Sequence, residues 1–154
     1  MSHSVYRWHD RIRDVEREYD AVRSSIGEMR DAVARGAGSL NGVKVRDLNM
    51  ADRNLEGTYL IRLWAEFETA VRSYYGWMTS DPDTRIGTHD LINTVAGVRR
   101  GRRIVADVQQ AVHGVREYRN MLVHARDNPA PPVSLSDARR SLNIYLCKLP
   151  DVWG

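Results

Sequence analysis

The chain has 154 residues, one cysteine and a net charge of +3, with 42% hydrophobic and 28% charged residues. This composition suits a single globular domain that buries a core without disulfides, and it excludes a disulfide-rich secreted scaffold. The start is charged and has no apolar leader, and no run approaches about 20 apolar residues. We therefore expect a cytoplasmic protein without a membrane span, in which Cys147 is a small buried side chain on a helix face.

The first element is predicted to be a long helix. Its apolar residues recur at alternating steps of three and four, and they are Val5, Trp8, Ile12, Val15, Tyr19, Val22, Ile26, Met29 and Val33. Such a heptad stripe, with charged residues between its members, predicts one helix of about 30 residues ending near Gly36 to Gly38. The narrow stripe favours packing along another long helix, in the same chain or in a partner.

The next two helices are separated by turn-forming segments. Glycines and asparagines between residues 36 and 49 predict a loop, after which a second helix runs from about Met50 to about Met78. This helix is apolar over a broad face, so we expect it at the centre of a bundle. The face comprises Leu55, Tyr59, Ile61, Leu63, Trp64, Phe67, Ala70, Val71, Tyr74, Tyr75 and Trp77. A short helix is predicted from about His89 to about Val98, with Thr88 as its N-cap.

Two further helices complete the chain. One is predicted from about Arg103 to about Arg126, before the prolines that follow residue 128. The last begins after Ser134 or Ser136 and continues through Leu149. No segment shows the sustained alternation of a strand. The prediction is an all-α fold, an antiparallel bundle of four main helices plus a short one, in a single domain spanning residues 1–154.

Several kinds of chemistry are not supported by the sequence. It contains no glycine-rich phosphate loop, no cysteine pair and no HExxH motif. The five histidines are spread along the chain without the spacing of metal ligands. We therefore expect neither a metal site nor a cofactor.

An arginine cluster, RRGRR, lies between the third and fourth predicted helices. It contains Arg99, Arg100, Arg102 and Arg103, and only two of the 23 basic residues of the chain, Lys44 and Lys148, are lysines. Guanidinium groups form forked hydrogen bonds with phosphate, so the cluster is a candidate RNA contact. The alternative is a solvated connector that aids solubility.

The segment YRNMLVHAR, residues 118–126, has the densest group of chemically useful side chains. On a continuous helix Arg116, Asn120 and His124 would stack on one face at intervals of four residues, with Arg119 beside them. Met121 and Leu122 would then point into the core. A simpler interpretation remains open, in which His124 interacts with the helix C-terminus and Arg119 pairs with Glu117 or Asp127.

The pattern Arg119-Asn120-x-x-x-His124 resembles the signature of the HEPN superfamily (higher eukaryotes and prokaryotes nucleotide-binding). The resemblance implies a helical endoribonuclease that needs no metal and acts in toxin–antitoxin or antiviral defence systems. It also implies a homodimer in which two motifs face each other, and a cognate antitoxin or defence-system partner. Arg119, Asn120 and His124 would be catalytic, and Arg116 and Arg126 would bind RNA. Arg126 occupies the position of a modified tyrosine in one subfamily, so the resemblance does not extend to that regulatory mechanism. The alternative to an RNA contact at Arg126 is a charge that suits the dipole at the C-terminal end of the helix.

Two other functions remain compatible with the same sequence. The heptad stripe of the first helix favours a non-catalytic helical module that binds RNA, a nucleotide or a partner protein. A purely structural bundle, with the polar residues of YRNMLVHAR held in ion pairs, is the third interpretation.

Overall fold

The computed structural model describes residues 3–36, 42–81, 85–97, 104–124 and 130–153. Five helices form in these ranges: α1 (Val5–Ala34), α2 (Val45–Thr79), α3 (Thr88–Gly97), α4 (Ala106–Val123) and α5 (Leu135–Leu146). Two short strands, β1 (His3–Ser4) and β2 (Val152–Trp153), pair at the ends of the described chain. The predicted all-α bundle with four main helices and one short helix is confirmed. No helix in these ranges is long and apolar enough to cross a membrane.

Helices α1 and α2 form an antiparallel pair. Ion pairs join Arg11 to Glu66 at 2.7 Å and Arg62 to Glu18 at 2.6 Å. Because residue numbers rise along one helix as they fall along the other, the two helices run in opposite directions. The predicted 30-residue first helix is confirmed, and its stripe is buried in the first half, at Val5, Trp8, Ile12, Val15 and Tyr19. Its second half, at Ile26, Met29 and Val33, is only half-buried.

Helix α2 is central, as its broad apolar face predicts, and it contacts all four other helices. Leu60, Leu63, Phe67 and Val71 are fully shielded from solvent. Trp77, which the sequence assigned to the same face, is instead 50% exposed. Helical spacing places it at the edge of this face, so its indole is only partly covered.

The N-terminus of α2 lies five residues earlier than predicted. The Lys44 N–H donates to the Asp47 carboxylate at 3.2 Å, and the Asp47 N–H donates to the Lys44 carbonyl at 2.9 Å. Asp47 also places negative charge in the first turn, where the helix dipole favours it. These local bonds allow the segment 45–49 to join the helix although its preceding residues resemble a loop.

Helix α3 is attached to α2 through the carboxylate of Glu68. Thr88 was predicted to cap α3, but it is the first residue of the helix, and its hydroxyl donates to Glu68 at 2.9 Å. Trp64 Nε1 donates to the same carboxylate at 3.0 Å, and Arg72 binds it at 2.8 Å. Burial alone would raise the pKa of Glu68, but the bonds from Arg72, Thr88 and Trp64 outweigh it and lower the pKa.

The last two helices are shorter than the sequence predicts. Helix α5 is capped by Ser134, whose hydroxyl accepts the Asp137 N–H at 3.1 Å, which decides between the two predicted serines. It ends at Leu146 rather than Leu149. Helix α4 begins after Val105 and ends before His124, so neither end extends as far as predicted.

The short strands join the two ends of the described chain. Ser4 pairs with Val152, and the Val5 N–H donates to the Asp151 carbonyl at 3.0 Å. Trp153 is almost fully buried and donates from its indole nitrogen to the Ser73 hydroxyl of α2 at 3.1 Å. A strand of two residues is too short to show an alternating pattern in the sequence, so this pairing was not predicted.

Candidate active site

The C-terminal turn of α4 carries the three motif residues. Arg119 and Asn120 are helical, whereas His124 is the C-cap, with φ −123° and ψ 127°. Its N–H still donates to the Asn120 carbonyl at 2.9 Å, which completes the last helical hydrogen bond. The predicted continuation of the helix through the histidine is therefore wrong, because the chain leaves the helical path at His124. The imidazole is exposed at the end of the helix.

Arg119 is half-buried and has no carboxylate partner among the described residues. Its Nη1 donates to the Asn120 side-chain oxygen at 3.0 Å. Its Nε is buried and has no hydrogen-bond partner within the described ranges. A pairing with Glu117 was one prediction, but that carboxylate lies 3.5 Å from Arg116 instead. The guanidinium of Arg119 thus retains donor capacity in the last turns of the helix that His124 caps.

Arg116 provides a second guanidinium on the same helix. Only 18% of its side chain is exposed, and its Nε is also buried without a partner among the described residues. Arg116 and Asn120 lie one turn apart on a common face, as predicted. Positions 119 and 120 differ by 100° around the helix, so Arg119 reaches Asn120 only through its long side chain.

The apolar residues within the motif were predicted to lie in the core, but they are half-buried or exposed. Leu122 is 36% exposed and Val123 is 43% exposed, and Met121 is half-buried. Leu122 lies against Gly57 of α2, where an added Cβ would be 3.4 Å from its methyl carbon. The bundle therefore covers the last turn of α4 only in part.

A cleft separates this turn from α2. It has a volume of about 320 Å³ and is lined by Arg53, Asn54, Glu56, Gly57, Thr58, Ile61, Tyr118 and Leu122. Tyr118 and Leu122 lie on the side of α4 away from Asn120, since they are offset from it by about half a turn. The cleft is therefore adjacent to the motif helix but does not contain the polar motif face.

A cluster of imidazoles at the other end of this polar face was not predicted. The rings of His89 and His113 are 4.7 Å apart, and His113 Nε2 donates to the Asn93 side-chain oxygen at 2.8 Å. Burial lowers the pKa of His113, and the neighbouring charges of Arg116 and His89 lower it further. His113 precedes Arg116 and Asn120 by three and seven positions, a helical spacing that is visible in the sequence.

Two groups of predicted RNA-binding residues lie outside the described residues. They are Arg126 and the cluster of Arg99, Arg100, Arg102 and Arg103. The alternative partner of Arg119, Asp127, also lies outside them. Their assignments stay predictions from the sequence.

Cys147 was predicted to be a small buried side chain, and this prediction is wrong. It is exposed, and it is the C-cap of α5. Its sulfur lies 3.5 Å from the imidazole of His9 on α1. Helix α5 ends before Cys147, so the residue no longer belongs to the apolar face that the longer predicted helix would have given it.

No group of three or more histidine, cysteine, aspartate or glutamate side chains in the described part of the chain is arranged to hold a metal ion. No protein-family model, curated protein or solved structure matches the chain. The residues and contacts given above are therefore the basis for a functional conclusion.

Proposed function

We propose that the chain is an endoribonuclease of the HEPN type, which cleaves RNA by attack of a ribose 2′-OH and acts as a toxin or in antiphage defence. The observation that carries this proposal is the state of Arg119. A half-buried guanidinium with an unpartnered buried Nε lies next to Asn120 in the chain, and exposed His124 caps the same helix four residues after Asn120. The guanidinium carries further N–H donors, with which it would bind a phosphate.

The side chains suit a cleavage that needs no metal. His124 is exposed, and imidazole is the side chain best suited to proton transfer in neutral solution, so it can remove the proton of the 2′-OH. The oxygen then attacks phosphorus, and the bond to the 5′ oxygen breaks. Arg119 stabilises the negative charge that grows on the phosphate. Asn120, already bonded to Arg119, holds the guanidinium in position.

The proposed enzyme works as a homodimer. One imidazole removes a proton from the nucleophile, and a second is needed to protonate the leaving oxygen in the same step. A two-fold axis beside His124 would provide the second from another copy. Val123, which directly precedes this residue, is exposed and supplies apolar area for such a contact. Arg116 lies one turn before Asn120 and would bind an adjacent RNA phosphate.

The test is an RNA cleavage assay with a metal chelator present. The wild-type chain should cut single-stranded or looped RNA, leaving a cyclic phosphate, and His124→Ala and Arg119→Ala should abolish cutting. The matched controls are His89→Ala, which removes an exposed imidazole of α3, and Arg13→Ala, which removes an exposed guanidinium of α1. Full activity in purified His124→Ala would overturn the assignment.

A non-catalytic helical module is the second candidate, and one observation favours it. The stripe of α1 is only half-buried at Ile26, Met29 and Val33, which leaves apolar surface for another helix. This function predicts that RNA or protein binding survives His124→Ala and that no cleavage occurs with the wild-type chain. Relief of toxicity on expression by the same substitution would instead favour the nuclease.

A further inference from the structure

A cysteine, a histidine and an asparagine form a linked group away from α4. Cys147 Sγ lies 3.5 Å from His9 Nε2, and His9 Nδ1 lies 2.8 Å from the side-chain oxygen of Asn143. The contact joins the N-terminal part of α1 to the end of α5. Cys147 is exposed, whereas the other two residues are half-buried, so the sulfur is the accessible member.

One tautomer of His9 satisfies both contacts. If the proton is on Nδ1, that atom donates to the Asn143 oxygen, which leaves the Nε2 lone pair free to accept the thiol proton of Cys147. A nucleophile, a base and a group that orients the base are therefore connected in order. This is the general arrangement by which proteins activate a thiol.

The backbone around the sulfur excludes one class of thiol chemistry. Acyl transfer requires N–H groups that can stabilise an oxyanion. The Cys147 N–H donates to the backbone carbonyl of Asn143 at 2.9 Å. The N–H groups of Lys148 and Leu149 donate to the carbonyls of Tyr145 and Leu146 at 3.0 and 2.9 Å. Since these donors are occupied, the site favours a substitution at sulfur, which forms no oxyanion.

The charges around the thiol favour an anionic reaction partner. Arg140 and Lys148 are exposed and, within the described ranges, neither has a carboxylate partner. On α1, Asp10 follows His9, but its carboxylate is paired with Arg13. Helical spacing puts Arg140 on the face of Cys147, two turns before it, and Lys148 follows directly. The carbonyls at the C-terminus of α5 oppose a thiolate, so His9 and these cations must supply the compensating positive charge.

We propose that Cys147, His9 and Asn143 form a modification site at which the thiol undergoes exchange with small anionic disulfides. The thiol proton passes to His9 Nε2, and the sulfur attacks one sulfur of the disulfide. A new S–S bond forms as the old one breaks, and the departing thiolate takes the proton from His9 and leaves as a thiol. Cys147 is the only cysteine in the sequence, so no second thiol of the chain can reverse the reaction.

The test follows the reaction of the full chain with oxidised glutathione by intact-protein mass spectrometry at neutral pH. His9→Gln keeps a polar group of similar size but cannot act as the base. It should lower the rate constant about tenfold, because an unassisted thiol is largely protonated at that pH. Asn143→Asp, which keeps the acceptor, should retain the rate, and Asn143→Leu should lose it. Equal rates for the wild type and His9→Gln overturn the proposal.

Two further comparisons separate activation from simple access. In strongly alkaline solution the rates of the wild type and His9→Gln should converge, since hydroxide can then remove the thiol proton without a neighbouring base. A gap that persists at high pH overturns the role of His9 as the base.

Replacing Arg140 and Lys148 together with alanine should slow the reaction with glutathione disulfide but not with cationic cystamine. Unchanged rates with both disulfides overturn the anionic preference. If His9→Gln does not fold, the two Asn143 variants provide the test.

Discussion

The guanidinium of Arg119 donates to the side-chain oxygen of Asn120, its immediate neighbour in the chain, at 3.0 Å. The arginine has no described carboxylate partner, and its buried Nε has no described acceptor. Leaving a buried donor unpaired costs about 1–3 kcal/mol. Arg119 therefore makes no ion pair within the described residues that would assign it a structural role, although the Nε atoms of Arg116 and Arg139 are also buried without an acceptor.

Arg119→Met should separate stability from activity. Methionine has a similar length and no donor, so the free energy of unfolding should stay the same or rise by up to about 1 kcal/mol. The proposed RNA cleavage should fall at least about 100-fold, because the charge on the transition state loses its partner. Urea unfolding and the cleavage assay measure the two effects. Arg13→Met is the control, since Arg13 is exposed and pairs with Asp10. A loss of more than about 2 kcal/mol would show a structural role for Arg119.

Tyr145→Phe should destabilise the bundle. The Tyr145 hydroxyl is buried and donates to the Ile92 carbonyl of α3 at 2.7 Å. Burial, together with nearby Tyr74, raises the pKa of this phenol, which keeps it in the neutral, donating form. Removing the hydroxyl leaves the carbonyl unpaired and should cost about 1–2 kcal/mol in urea unfolding. Tyr6→Phe, at an exposed position, should cost close to nothing. Equal effects of the two substitutions would contradict this account.

Glu68 should make stability sensitive to acid. Its pKa is lowered in the folded state, so its contribution is complete above the ordinary value of 4.5 and is lost as the pH falls through the folded pKa. Glu68→Gln should reduce the pH dependence of unfolding below that value. The control is Glu28→Gln, at an exposed position of α1. The same pH profile in the wild type and Glu68→Gln would refute the prediction.

His113 should have the corresponding effect at a higher pH. Its folded pKa lies below the ordinary value of 6.5, chiefly because of burial and also because of Arg116 and His89, whereas Glu117 acts in the opposite direction. The unfolded chain then binds more protons as the pH falls below 6.5, so the folded state loses stability from there through the folded pKa. His113→Gln should remove this loss, as measured by unfolding between about pH 7 and pH 5. A variant that retains the wild-type slope would show that another group causes it.

The fold was largely predictable because long periodic patterns depend on local geometry. The stripe from Val5 to Val33 predicted the length of α1, and the broad apolar face of α2 predicted its central position. The ends of helices were less predictable. The start of α2 depends on a bond between Lys44 and Asp47, and the end of α4 depends on backbone angles at His124 that no spacing rule contains.

The sequence by itself determined the helical class, the order of the helices and the presence of Arg119, Asn120 and His124 near one helix end, since periodicity and spacing are properties of adjacent residues. Only the tertiary structure decided which of these side chains lack partners, because burial and pairing depend on elements far apart in the chain. It left Leu122 exposed beside the motif and brought His9 to Cys147 across 138 positions. The contact between His9 and Cys147 arises because α1 packs against α5, and the pattern of either helix alone does not specify this packing.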